Sequence, residues 1–174
     1  MSGTVVRAAT REDAEGIARV QIDGWRFAYR GLVPRRLLDT MDLAERTARW
    51  EQLVAGRHVI PGGRDLVAVR DGEVCGFACV GPVRQQDGYP TDATGELYAL
   101  YAAPRSVGTG VGRALMQEGV ALLRGDGHAA AVLWVFRGNA RARGFYERMG
   151  WDLEGADHAM DALAAPQVRY RRDL

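Results

Sequence analysis

The chain has 174 residues, 47% of them hydrophobic and 26% charged, with 23 basic and 22 acidic side chains that leave a formal net charge of +1. That length and apolar content suit one globular domain over residues 1–174 with a sizeable core. The two signs of charge are interleaved, which argues against a nucleic-acid partner; no apolar run approaches a membrane span, and Met1–Arg7 lacks a basic then apolar leader, so a cytoplasmic protein is expected.

Val5 and Val6 predict a first strand, and Thr10-Arg-Glu-Asp13 has the form of a capping box that opens a helix. Ala14, Ile17, Ala18, Gln21, Trp25, Ala28 and Tyr29 recur at helical spacing, with Gly31 and Pro34 as stop signals. The stripe packs on a sheet. Its C-terminal end is unusually rich in chemistry, so Trp25 and Tyr29 either fill core or face an acceptor. A second helix is expected from Asp42, with Glu45 three residues on, burying Leu43, Trp50, Leu53 and Val54. Trp50 could add to an aromatic wall.

Residues 65–70 and 73–80 alternate as strands around Asp71-Gly72, a strong hairpin signal. Cys75 and Cys79 lie four apart there, which places both on one face as core filling and too far apart for a disulfide. Gly81–Thr94 contains Pro82, Gly88 and Pro90 and reads as a mobile loop that helps to shape a site.

Leu97–Ala102 is a buried strand stopped by Pro104, and Gly108, Gly110 and Gly112 open a helix carrying Val111, Ala114, Leu115 and Leu122. A helix start leaves backbone N–H groups without partners, and alternating glycines let a ligand approach them, so the turn suits a pyrophosphate. Ala129–Phe136 is a second buried strand, parallel to the first, which puts the glycine turn at the C-terminal end of the pair, where ligands sit. Asn139 caps a helix with Ala142, Phe145, Tyr146 and Met149 on its apolar face and Gly150 at its end. Residues 151–154 and 167–171 are closing strands joined by an Ala/Pro-rich loop. Were Gln167–Arg171 an edge strand, it could pair with a second copy, so a homodimer stays open. The basic run Arg169–Arg172 reads as the solvated face of that strand rather than a nucleic-acid contact.

Leu100-Tyr-Ala102, Val107-Gly-Thr-Gly-Val-Gly112, Asn139 and Phe145-Tyr-Glu-Arg-Met-Gly-Trp151 together resemble the GNAT superfamily of N-acetyltransferases, and the N-terminal segments 6–13 and 25–32 resemble its bacterial members. Two motifs in matching order are far more specific than a glycine pattern alone. The resemblance implies an α/β fold of the acyl-CoA N-acyltransferase (GNAT) type, a mixed twisted sheet with helices on both faces. It also implies acetyl transfer from acetyl-CoA directly to a small-molecule or peptide amine, with no metal. On it, Leu100, Tyr101, Ala102, Val107, Gly108, Thr109, Gly110, Val111, Gly112, Arg113, Asn139 and Tyr146 hold the cofactor, while Trp25, Tyr29 and Tyr98 meet the acceptor. A backbone N–H near Leu100–Ala102, on a bulged strand, would stabilise the thioester oxygen.

An alkylammonium must lose a proton before it can attack, and Glu96 stands at the family's base position. Tyr146 stands at its general-acid position, where it would protonate the leaving thiolate. Both also have plain structural readings, a strand-end carboxylate and a core tyrosine. Val107 replaces the family's usual Arg or Gln, leaving Arg105 or Arg113 as substitutes. His58, His128 and His158 have no metal-like spacing; His158 beside Asp157 is the most notable. A non-catalytic acyl-CoA sensor or interaction module, or a transferase of longer acyl groups, are the alternatives.

Overall fold

A computed structural model describes residues 3–84, 89–90, 92–160 and 165–174, with the backbone alone for 156–160. The strands are β1 (Val5–Ala8), β2 (Arg64–Arg70), β3 (Glu73–Pro82), β4 (Thr94–Ala102), β5 (Ala130–Phe136), β6 (Asp152–Met160) and β7 (Ala165–Asp173). The helices are α1 (Ala14–Ala28), α2 (Arg35–Asp39), α3 (Leu43–Val54), α4 (Val111–Gly125) and α5 (Ala140–Arg148). The strands make one seven-stranded sheet in the order β1-β2-β3-β4-β5-β7-β6. Every adjacent pair is antiparallel except β4 and β5.

Local signals placed most elements. Asp71 and Gly72 both take positive φ, 53° and 79°, as a two-residue hairpin turn between right-twisted strands requires. The Asp42 side chain accepts from the Glu45 amide at 2.8 Å and starts α3. At Thr10 the box forms differently from its usual pattern. Asp13 Oδ2 accepts from both the Thr10 amide and its hydroxyl, and Arg7 clamps the same carboxylate through two bonds of 2.7 and 2.9 Å. The first turn there, Arg11–Asp13, is 3₁₀ and leads into α1. Trp50 is core: it is 5% exposed, its Nε1 donates to Gln21 Oε1, and it packs edge-on against Phe77.

The sheet is covered on both faces. Ile17, Ala18 and Val20 of α1, with Trp50 of α3, pack on Val67, Phe77 and Cys79. On the other face, Val111, Leu115, Met116, Val120 and Leu123 of α4 join Tyr146 of α5 over Leu66, Ala68, Ala78, Val80, Leu97, Leu133 and Tyr170.

Three expectations fail for reasons of strand pairing. Cys75 and Cys79 do not share a face. Ala68 opposes Gly76 and Val69 opposes Val74, so Cys75 is an extra residue that reverses the alternation and points to the α4 side, whereas Cys79 points to α1. The strand containing Gln167–Arg171 is not an edge, because β7 is inserted between β5 and β6; the outer strands of the sheet are β1 and β6. Finally, the β4 bulge is not at Leu100–Ala102. Val80 opposes Leu97 and Cys79 opposes Ala99, which leaves Tyr98 as the inserted residue. The loop expected over Gly81–Thr94 is shorter, since β3 runs to Pro82 and β4 starts at Thr94; its residues 85–88 and 91 lie outside the described residues.

Candidate active site

The parallel pair β4 and β5 is in register only from Thr94 opposite Ala130 to Leu97 opposite Leu133. Beyond that point the strands separate, although β4 continues to Ala102 and β5 to Phe136. The side of β4 that faces β5 therefore loses its strand partner from Tyr98 onward, and its backbone groups there face a cavity. Hydrogen-bonding capacity that would be consumed in a continuous ladder is left for a guest. The bulge at Tyr98 sits where the split begins and puts Tyr98, Ala99 and Tyr101 on the α1 side and Leu100 and Ala102 on the α4 side.

The cavity has a volume of about 390 Å³. Its walls are β4 from Leu97 to Ala102, Trp134–Phe136 of β5, the end of α1, the glycine turn and one face of α5. Of the residues expected to form a site, it brings together Tyr29, Tyr98, Leu100, Tyr101, Ala102, Val107, Gly108, Gly110, Gly112, Arg113, Asn139 and Tyr146. Trp25, Glu96, Thr109 and Val111 are not in its lining. Trp25 packs with Val33, Leu38 and Phe136 behind Tyr29. The Thr109 hydroxyl donates to Ser106 O, and Val111 is buried under the sheet.

At the cavity mouth, Gly108 and Gly110 hold φ of 81° and 92°, and a side chain added at either would meet nothing within 4 Å. Gly110 is the N-cap of α4 and offers no side-chain acceptor, so the first amides of the helix are left to a ligand. The turn is thus an open cradle of backbone donors that fits an anion such as a pyrophosphate. Arg113 lines the cavity beside it. Arg105 forms a surface ion pair with Glu73.

Asn139 caps α5, its Oδ1 accepting from the Ala142 amide at 3.1 Å, and its side chain still borders the cavity. Two turns on, Tyr146 is 8% exposed, and among the described residues its hydroxyl has no hydrogen-bond partner. Burial pushes its phenol well above the ordinary value, with the neighbouring Tyr29 adding to the shift, so it holds its proton. Tyr29 and Tyr101 share a hydrogen bond of 2.7 Å between their hydroxyls, and burial likewise raises both. Gly24 of α1 allows this approach, because a Cβ there would lie 3.0 Å from the Tyr101 ring.

Glu96 is fully buried. It points to the α1 face, since Gly95 faces Leu123 of α4 and Leu97 packs with the same helix. Its Oε2 accepts from the Arg84 amide and from Arg84 Nε, both at 3.1 Å, and Arg84 Nη2 pairs with Oε1. Tyr98, two residues on, donates its hydroxyl hydrogen to Pro82 O. Burial is the main cause that raises its phenol, and the Glu96 charge raises it further.

Sequence reasoning did not single out Phe27, Trp134, Phe136, Arg141, Arg148 and Gln167, all of which line the cavity. Arg148 lies within the Tyr146 motif and Arg141 two helical turns before it on α5, a signal that was present in the sequence. Phe136 and Gln167 become neighbours only through the pairing of β5 with β7, which sets them opposite each other. The described histidine side chains lie elsewhere, His58 Nε2 at 3.3 Å from Asp65 Oδ2 and His128 buried near Gly95. The side chains of Asp157 and His158 lie outside the described residues. No group of three or more potential metal ligands occurs among the described residues.

Comparison with known proteins bears on this arrangement. The profile of the acetyltransferase (GNAT) family matches residues 30–151. YuaI, an uncharacterized N-acetyltransferase of Bacillus subtilis strain 168, is 34% identical over 140 residues, 77% of this chain and 72% of that protein. Among solved structures, the fold is similar to that of PaiA N-acetyltransferase from Thermoplasma acidophilum in complex with coenzyme A. The TM-score is 0.76 at 19% identity, over 98% of this chain and 99% of that one. It is also similar to that of YncA from Salmonella typhimurium with its cofactor acetyl-CoA. There the TM-score is 0.71 at 21% identity, over 99% and 95% of the two chains.

Proposed function

The chain belongs to the acetyltransferase (GNAT) family, and from that premise we propose that the split between β4 and β5 is the place where it moves an acetyl group from acetyl-CoA to an amine. The observation that carries the assignment is the coincidence, in one cavity, of the unpaired edge of β4, the open glycine cradle and the phenol of Tyr146. The whole of residues 1–174 is one acetyltransferase domain in this reading, because one sheet runs from Val5 to Asp173.

Acetyl-CoA bound there supplies the activated acyl thioester. The amides of the Gly108–Arg113 turn hold its pyrophosphate, and the backbone of Leu100, Tyr101 and Ala102 together with Asn139 holds its amide-bearing arm. Charge that develops on the thioester oxygen is met by backbone N–H groups on the open side of β4, which cost no reorganisation because the separation of β4 from β5 has already left them outside a ladder. Tyr146 keeps its proton until a thiolate departs and then donates it.

The acceptor enters between Tyr29 and Tyr98. Its ammonium proton passes to Glu96 through water, since the carboxylate lies outside the cavity walls and is held by Arg84. Tyr98 lines the cavity on the α1 side of β4, the side to which Glu96 points. This route calls on no metal.

The test is thiol release from acetyl-CoA with a panel of primary amines. Amine-dependent release is expected, with Glu96→Gln and Tyr146→Phe each slowing it about a hundredfold. Parent-like rates in both variants would sink the residue assignments. Coenzyme A binding without turnover for any amine would support the binding-only sensor instead.

A further inference from the structure

Coenzyme A carries two anionic groups, a pyrophosphate and a phosphate monoester on its ribose, and one glycine turn can serve only the first. Among the described residues that line the cavity, the charged side chains are three arginines, Arg113, Arg141 and Arg148. Arg141 is engaged, its guanidinium lying 5.3 Å over the ring of Phe27. Arg113 and Arg148 have no hydrogen-bond or ion-pair partner among the described residues.

These two arginines flank a single contact between helices. A Cβ on Gly112 would lie 3.5 Å from the Phe145 ring, Arg113 is the next residue on α4, and Arg148 follows Phe145 by three on the same stripe of α5. Arg148 folds back along α5, so that a Cβ on Gly144 would sit 3.3 Å from its Nη1. Gly144 has an ordinary helical φ and needs no glycine on backbone grounds, while glycine is the poorest interior helix former after proline. Its missing side chain leaves the room that the guanidinium occupies.

Resting on the coenzyme A reading above, we infer that Arg113 and Arg148, with Gly144 making space, form a subsite for the 3′-phosphate of coenzyme A, so that the chain discriminates against 3′-dephospho-coenzyme A. The guanidinium fork matches the oxygens of a phosphate monoester, and two such forks on adjacent helices meet a dianion without any acidic neighbour in the lining to compete. The pyrophosphate remains with the backbone donors of the turn, for which no arginine is required.

The test is calorimetric titration of the protein with coenzyme A and with 3′-dephospho-coenzyme A at about 0.15 M salt, where long-range attraction is largely screened. The parent is expected to bind coenzyme A about tenfold or more tightly than the dephospho form. Arg148→Met should weaken coenzyme A by about that factor and leave the dephospho form within about twofold, and Arg113→Met/Arg148→Met should abolish the preference. Gly144→Ala, which crowds Nη1 without removing a charge, should narrow the preference while raising the melting temperature. Equal binding of the two ligands by the parent would overturn the inference. So would an Arg148→Met variant that loses both ligands equally, which would assign the cation to the pyrophosphate. Failure of the parent to bind either ligand would remove the donor reading itself, a different result from binding both alike.

Discussion

The hydroxyls of Tyr29 and Tyr101 lie 2.7 Å apart, joining the end of α1 to β4 beyond the point where β4 has lost its pairing with β5. Tyr29 is also packed edge-on between Trp25, at 5.1 Å, and Phe136 of β5, at 4.8 Å, while Tyr101 stacks on Phe77. One side-chain pair thus ties together the helix and the two strands that bound the cavity, where no backbone ladder does so.

A double-mutant cycle tests that tie. Tyr29→Phe and Tyr101→Phe should each lower stability by about 1 kcal/mol, and the double variant should cost less than their sum, because the first change already removes the shared bond. Urea unfolding of the four proteins measures it, and strict additivity would show that the hydroxyls are not coupled.

Tyr146→Phe should lower kcat by about a hundredfold, leave the KM for acetyl-CoA within about twofold and leave the melting temperature unchanged, since the hydroxyl has no partner in the described structure. Because burial holds the phenol protonated above its usual range, the deficit should stay constant from about pH 7 to about pH 10. Rate profiles of both proteins across that interval decide; a deficit that disappears on the way would mean that the proton is lost within it.

Asp13 should behave as a buried carboxylate whose pKa is depressed, chiefly by its bonds to Arg7 and secondarily by those to Thr10, against the opposing effect of burial. The sign follows: the folded state holds the ionised form better than the unfolded chain, so the contribution is complete above about pH 4 and is lost as pH falls through the folded value. Asp13→Asn should therefore cost about 1–2 kcal/mol near neutrality, at the low end because Arg7 is 43% exposed, and the gap should close in acid. Denaturant midpoints at several pH values report this directly, and a gap independent of pH would contradict it.

Gly76→Ala probes the seat of the glycine turn. A Cβ there would lie 2.7 Å from Val111, 2.9 Å from Leu115 and 2.9 Å from the Tyr101 carbonyl. Overpacking should destabilise the protein by about 1–3 kcal/mol and, by displacing the first turn of α4, weaken coenzyme A binding as well. Calorimetry on the folded variant at low temperature separates the two effects. Unchanged binding with lowered stability would mean that the turn does not depend on this contact.

Most element boundaries were legible in the sequence because their causes are local. Asp71-Gly72 demands a hairpin, Asp42 and Asn139 cap the helices that follow them, and the alternate glycines after Pro104 force an open helix start. The same local chemistry, joined to the family resemblance, singled out the glycine turn and Asn139, which border one cavity. What only the tertiary structure decided are relations between distant segments. The insertion of β7 between β5 and β6 makes Gln167 a neighbour of the cavity rather than an edge. The bulges at Cys75 and Tyr98 invert side-chain alternation, so that period-two counting assigned the cysteines to one face when they occupy two. Glu96 looked like a strand-end carboxylate or an open base, and is instead enclosed and held by Arg84 from the far side of a loop. Periodicity reports which residues turn inward; which of them meet is set by strand order and register, and those are the product of long-range pairing.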